Sequence, residues 1–135
     1  MYKLIKDIAE CCYTTAKNRG KDVSCVGCLQ GLRTELAEYW SAVDSDKQIV
    51  KPVDTIKTAL LLAKNDLAAY YDKHIHNTDT DELADVLIVA ATWMHAAKIA
   101  GGEDFDPDRS IDVMLAGGAI QFVCGRISEP AYLRR

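Results

Sequence analysis

The amino-acid sequence predicts an all-α protein, a single domain over residues 1–135 that folds as an antiparallel bundle of about five helices. Apolar residues recur at helical spacing along most of the chain, and no segment alternates between apolar and polar residues with period two. Polar segments, several of which contain Gly or Pro, separate the helical stretches. A chain of 135 residues is long enough to bury one core without disulfide bonds.

The first two helices are predicted from their apolar residues and the segments that separate them. Helix one is expected from about Tyr2 to Lys17, because Gly20 follows it. Helix two is expected to start after the polar segment Asp22–Ser24 and to end near Val43. Its apolar stripe consists of Leu29, Leu32, Leu36, Trp40 and Val43.

Three further helices follow a polar linker. Their expected bounds are roughly Asp54–Lys73, Asp79–Ala100 (with Asp79 or Thr80 as the cap) and Asp108–Ser128. The last of them is expected to bend or break at Gly117-Gly118, and Pro130 prevents its continuation.

Composition and charge narrow the classes of protein. The net charge of −4 and the pI near 5.3 do not favour a nucleic-acid polymer as partner, because phosphate backbones require a basic patch. The longest uncharged runs, Val86–Ala97 and Val113–Gly125, are shorter than the roughly 18 residues that a membrane-spanning helix needs, and no signal peptide is recognisable. We expect a cytoplasmic protein that does not bind membranes. The five cysteines are an odd number without disulfide-type spacing and are expected to be free thiols.

Two pairs of acidic residues are the strongest functional signal. Glu35 and Glu38 lie three residues apart on helix two, and Glu82 and Asp85 lie three residues apart on helix four. Residues at this spacing sit one helical turn apart, so each pair can direct two carboxylates at one location. Two such pairs on facing helices would surround a divalent cation with the oxygen ligands that Mg²⁺ or Mn²⁺ prefers.

Acidic pairs at this spacing also occur on solvated helix faces, and helix four decides between the two interpretations. From Val86 to Trp93 every residue except Thr92 is apolar, so this helix has almost no polar side. Asp85 lies one turn before Ile88 and Val89 on the helical wheel, where a carboxylate is costly unless it binds a cation. The apolar surroundings also predict that helix four contributes to an interface between subunits.

The sequences Glu35-Leu36-Ala37-Glu38 and Glu82-Leu83-Ala84-Asp85-Val86-Leu87-Ile88 resemble the ExxE…ExxD signature of the MazG-like, all-α nucleoside triphosphate pyrophosphohydrolases. This resemblance implies hydrolysis of an NTP or dNTP between the α- and β-phosphates, which yields a nucleoside monophosphate and pyrophosphate. It implies Mg²⁺, or Mn²⁺, held by Glu35, Glu38, Glu82 and Asp85, with Glu38 as the first choice for the general base. It also implies a homo-oligomer, either a dimer or a tetramer.

The sequence departs from the family pattern in two places. The 43 residues between Glu38 and Glu82 exceed the usual gap, and the last helix lacks the basic segment that holds phosphates in many relatives. Lys64 and Arg126 are therefore candidates for phosphate binding, and Trp40 could stack on a base or pack in the core. Further basic candidates are Lys73, Arg134 and Arg135.

Two other classes of protein remain as alternatives. A di-iron carboxylate bundle would require Glu-x-x-His motifs, but the residues three positions after Glu35 and Glu82 are Glu38 and Asp85. A helical module that binds a nucleotide or a partner without hydrolysis is the stronger alternative, because the basic segment is missing.

Overall fold

The computed structural model describes residues 2–134, and the side chains from residue 5 onward. This part of the chain contains helices and connecting segments but no strand, which confirms the all-helical prediction. Its six α-helices are α1 (Tyr2–Asn18), α2 (Cys25–Asp44), α3 (Pro52–Leu60), α4 (Lys64–His74), α5 (Asp79–Gly101) and α6 (Ile111–Ser128). Two 3₁₀ turns follow α5 and α6, at Gly102–Asp104 and Ala131–Leu133.

The expectation of a single third helix, and so of about five helices, is wrong. α3 and α4 are separate helices, because the chain leaves helical geometry after Leu61 and Ala63 adopts an extended conformation at the start of α4. The apolar residues that suggested one continuous buried stripe do not form one, since Leu60 and Leu61 are 79% and 87% exposed. No Gly or Pro marks this break in the sequence.

Side-chain caps set the starts of the long helices. The Ser24 hydroxyl accepts a hydrogen bond from the backbone N–H of Gly27 at the start of α2. Thr78 caps α5 through the N–H of Asp81, so the cap lies one residue before the earlier of the two predicted positions. α6 is helical through Gly117-Gly118, so the expected interruption there does not occur.

Helix α5 lies at the centre of the bundle and packs against α1, α2 and α6. The core is formed by Leu83, Val86 and Trp93 of α5, Leu32, Tyr39 and Val43 of α2, and Ala116 and Val123 of α6. α5 still leaves Leu87 and Ile88 partly exposed, so it is covered on three sides rather than all round. The buried face of α2 also differs in part from the predicted apolar stripe. Leu29 and Trp40 of that stripe are exposed, whereas Cys28 and Tyr39, the residues that precede them, are buried.

A buried ion pair ties the end of the chain to the start of α5. Arg134 and Asp79 are both fully buried, and Nη2 of Arg134 lies 2.7 Å from Oδ2 of Asp79. The other Asp79 oxygen accepts a hydrogen bond from the N–H of Ile49, and Arg134 also donates to the carbonyl oxygens of Glu129 and Ile49. Arg134, a basic candidate for phosphate binding, is instead a structural residue. The five cysteines are free, as expected.

Two segments are long and apolar enough to span a membrane by length and composition alone, Asp79–Asp104 and Ile111–Ser128. The uncharged runs within them are shorter, but each segment as a whole passes this test. The core helix of a soluble protein passes the same test, and α5 is the central helix of this bundle. Only 11% of the α6 window is buried, which leaves an apolar face of α6 exposed.

Candidate metal centre

The four acidic residues singled out in the sequence meet between α2 and α5. Glu35 and Glu38 come from α2, and Glu82 and Asp85 come from the first two turns of α5. One carboxylate oxygen from each residue lies within 4.8 Å of the corresponding oxygen of every other. The i, i+3 spacing on both helices produces this arrangement, because each helix presents its two carboxylates to the other.

The packing beneath the carboxylates fixes where the two helices approach each other. Leu83 and Val86 are fully buried and alternate along α5 with the two acidic residues of that helix. Leu32 and Tyr39 hold α2 against the core in the same way. The carboxylates therefore lie at the edge of a packed interface, and their separation is set by the core rather than by their own mutual attraction or repulsion.

Crowding and burial raise the pKa values of Glu35, Glu82 and Asp85. Burial raises the pKa of Glu35 to about 7, with further contributions from a hydrogen bond with Glu38 and from the negative charges of its neighbours. Burial, followed by the charge of Glu38, raises the pKa of Glu82. The pKa of Asp85 is also raised by burial and by the charge of Asp81. The fold thus holds like charges together at a cost in free energy.

Two oxygens of this cluster lack a partner. Oε2 of Glu35 and Oε2 of Glu82 are buried and accept no hydrogen bond from the described part of the chain. An unpaired buried carboxylate oxygen is unfavourable, and a bound cation removes the penalty. The atoms that these four residues offer to a metal are all carboxylate oxygens, the ligand type that hard divalent cations prefer. The residues present therefore fit a Mg²⁺ or Mn²⁺ ion.

Two cavities border the cluster on different sides. One has a volume of about 200 Å³ and is polar; it is lined by Glu38, Ser41, Ser45, Lys47, Asn77 and Glu82. The other has a volume of about 310 Å³ and is mainly apolar; its lining includes Val23, Cys28, Gly31, Glu35, Ile88 and Val89. The carboxylates thus separate a polar compartment from an apolar one.

Trp40 and Arg126 lie together, but not with the carboxylates. The Arg126 guanidinium is 5.2 Å from the centre of the Trp40 ring, and its Nε donates a hydrogen bond of 2.9 Å to the Tyr39 hydroxyl. Trp40 also contacts Phe122 of α6. Trp40 follows Glu38 by two positions, and residues two apart on a helix point in nearly opposite directions. Trp40 is therefore part of the contact between α2 and α6.

The remaining basic candidates are distributed differently. Lys64 and Lys73 are exposed at the two ends of α4, and neither lines the cavities beside the carboxylates. Arg135 lies outside the described residues. Lys47, which does line the polar cavity, was not singled out in the sequence because it lies in an irregular polar loop. Its position depends on the packing of that loop against the start of α5, and no local motif indicates it.

No protein-family model, curated protein or solved structure matches this chain. The functional assignment therefore depends on the geometry of the site and on the resemblance of its two motifs.

Proposed function

We propose that the protein is a Mg²⁺-dependent, MazG-like nucleoside triphosphate pyrophosphohydrolase that converts an NTP or dNTP to the monophosphate and pyrophosphate. The observation that supports this proposal best is the convergence of four carboxylates with two unpartnered buried oxygens. A structural salt-bridge network would pair these carboxylates with cationic side chains, and the ion pairs of the described residues include none at this cluster; Lys21 acts on Asp85 only from beyond ion-pair distance. The order of the motifs and the all-helical fold agree with this enzyme class.

The chain's own residues have distinct roles in this proposal. Glu35, Glu38, Glu82 and Asp85 bind the ion, which when bound neutralises phosphate charge and acidifies water. Glu38 is the exposed member of the cluster and borders the polar cavity, so it is the best placed to take a proton from water. The water oxygen forms a bond to one of the two phosphorus atoms as the P–O bond between the α- and β-phosphates breaks. The bridging oxygen leaves with the other product and keeps the electron pair of the broken bond, and the proton released from water passes to a carboxylate oxygen of Glu38.

The proposal extends to partners and location. The partner is a small nucleotide rather than a nucleic-acid polymer, because the protein carries a net charge of −4. The protein is cytoplasmic and not membrane-bound, and the exposed apolar side chains of α5 and α6 are covered by further subunits of a dimer or tetramer. Size-exclusion chromatography with light scattering tests the last point, and a stable monomer at micromolar concentration would contradict it.

Pyrophosphate release from a panel of canonical and modified triphosphates, with and without Mg²⁺, tests the activity. Glu38→Gln and Asp85→Asn are expected to lower turnover by a factor of about 100 or more while the protein stays folded. Glu103→Gln, an exposed substitution in the turn after α5, is the matched control. If the wild-type protein binds metal and nucleotide but releases no pyrophosphate from any substrate, the non-hydrolytic binding module is the correct class.

A further inference from the structure

We infer that Lys47 and the polar cavity around it form the subsite for the substrate's terminal phosphates, and that the apolar cavity on the other side of the carboxylates receives the nucleoside. The inference rests on the proposed function for the identity of the substrate. The inference also specifies the orientation of the bound substrate. The substrate lies across the carboxylates, with its phosphates toward the start of α5 and its base toward α1.

The lining of the polar cavity matches a phosphate. Lys47 contributes an ammonium group, the two serines contribute hydroxyls and Asn77 contributes an amide, and all of these are hydrogen-bond donors. Lys47 takes part in none of the ion pairs found among the described residues, so none of their carboxylates lies within ion-pair distance of its ammonium group. The cavity volume of about 200 Å³ is below the roughly 300–1,000 Å³ typical of pockets for larger organic ligands, and so suits phosphates better than a whole nucleotide.

Hydrogen bonds hold this subsite in place before a ligand arrives. The N–H of Lys47 donates to the carbonyl of Ala42, and the carbonyl of Lys47 accepts from the N–H of Asp79 at 2.8 Å. On the opposite side, the N–H of Asn77 donates to a carboxylate oxygen of Asp81. Asn77 has a φ of +62°, a left-handed conformation that is uncommon for a residue other than Gly. The loop backbone on both sides of the cavity is therefore fixed by the start of α5.

The apolar cavity has the opposite character. It lies between the end of α1, α2 and α5. Gly31 of α2 borders the cavity without a side chain, and a Cβ at this position would lie in van der Waals contact with Val89, 3.5 Å from its Cγ1. A volume of about 310 Å³ lies at the lower end of the range for pockets that hold organic ligands, and an apolar lining suits a base or sugar rather than a phosphate. The partly exposed Ile88 at this cavity would be covered by such a ligand.

One charged residue beside the apolar cavity would favour the reverse orientation of the substrate, with its phosphates on that side. Lys21 lines the apolar cavity, where its positive charge opposes the rise in the pKa of Asp85. Lys21 therefore already acts on a carboxylate, and Asp22 lines the same cavity. If the phosphates bound on this side, Lys21 and not Lys47 would be the residue on which phosphate binding depends.

Binding of inorganic pyrophosphate in the presence of Mg²⁺, measured by isothermal titration calorimetry, tests the phosphate subsite without catalysis. Lys47→Met is expected to weaken binding roughly 10- to 100-fold, the loss typical of a hydrogen bond to a charged group. Lys51→Met in the same loop is the matched control and should bind as the wild type does. Equal binding by Lys47→Met and the wild type, no binding by the wild type, or a larger loss in Lys21→Met would overturn the assignment.

The nucleoside end is tested with triphosphates in which a methylene group replaces the oxygen between the α- and β-phosphates. Gly31→Leu is expected to weaken their binding about 10-fold or more and to leave Mg²⁺-dependent pyrophosphate binding unchanged, which also shows that the variant is folded. Unchanged binding of every analogue to Gly31→Leu would overturn the assignment of the apolar cavity. The proposed function fails separately: pyrophosphate binding through Lys47 without turnover of any triphosphate would refute hydrolysis and retain the phosphate subsite.

Discussion

Replacing Glu35 by Gln should stabilise the metal-free protein and greatly reduce its stabilisation by Mg²⁺. Glu35 is one of four carboxylates whose nearest oxygens lie within 4.8 Å of one another, and one of its oxygens is buried without a partner. Gln has nearly the same shape but no charge. The substitution therefore removes like-charge repulsion from the metal-free site and a ligand from the metal-bound site.

The magnitude follows from the separation of the charges and from the pKa. At an effective dielectric constant of about 20, two unit charges 4.8 Å apart repel each other by roughly 3 kcal/mol. The rise of the Glu35 pKa to about 7, which is due first to burial and then to the acidic neighbours, corresponds to a similar total at about 1.4 kcal/mol per pKa unit, and Gln removes both contributions. Solvent reaches the cluster and screens these charges, which reduces the expected gain to about 1–2 kcal/mol at pH 8.

The pH dependence distinguishes this cause from a general effect on packing. The folded-state pKa of Glu35 lies above its unfolded value, so its contribution to stability is fully present below about pH 4 and is lost as the pH rises through about 7. Gln does not titrate. The difference in free energy of unfolding between the variant and the wild type should therefore shrink by more than half between pH 8 and pH 5.

Thermal unfolding with EDTA or with Mg²⁺, at pH 5 and pH 8, measures the gain in stability without metal, its dependence on pH and the stabilisation by Mg²⁺. A gain of about 1–2 kcal/mol corresponds to a melting temperature roughly 4–8 °C higher for Glu35→Gln in EDTA at pH 8. Mg²⁺ at about 100 times its Kd should stabilise the wild type by about 2.7 kcal/mol and the variant by much less. Glu103→Gln serves as the exposed control. A lower melting temperature in EDTA at pH 8, or a difference that does not change with pH, would refute the reasoning.

Three further predictions concern the scaffold, and each is measured by urea denaturation. Arg134→Met should lower the free energy of unfolding by about 3–5 kcal/mol, because it leaves the fully buried Asp79 without its ion-pair partner. A double variant with Asp79→Asn should lose less stability than the sum of the two single losses, and additive losses would show that the two residues are not coupled. Thr78→Ala should cost about 1 kcal/mol through loss of the α5 cap, and a neutral result would mean that the 3.4 Å hydrogen bond contributes nothing. Gly118→Ala should gain up to about 1 kcal/mol, because an added Cβ meets open space within α6, whereas Gly102→Ala should destabilise because its φ is +58°. The same sign for both Gly variants would contradict this.

The sequence alone was sufficient to predict the helical class, most helix boundaries and the convergence of the four acidic residues between two helices. Periodicity and capping residues act over a few positions, so they can be recognised in a single chain. The i, i+3 spacing of the two acidic pairs is equally local, and the apolar run after Asp85 indicates that this pair lies at the edge of a buried helix. These features predicted which side chains could meet, without a family match to support them.

Only the tertiary structure decided which residues surround those carboxylates. The break between α3 and α4 has no Gly or Pro to mark it, and the outward-facing Leu60 and Leu61 imitate a buried stripe in the sequence. Lys47 reaches the site because the buried Asp79 holds its loop at the start of α5, a contact between residues 32 positions apart. Trp40 is separated from the site because it points toward α6. Such relations depend on how helices pack, and packing is a property of contacts distant in sequence.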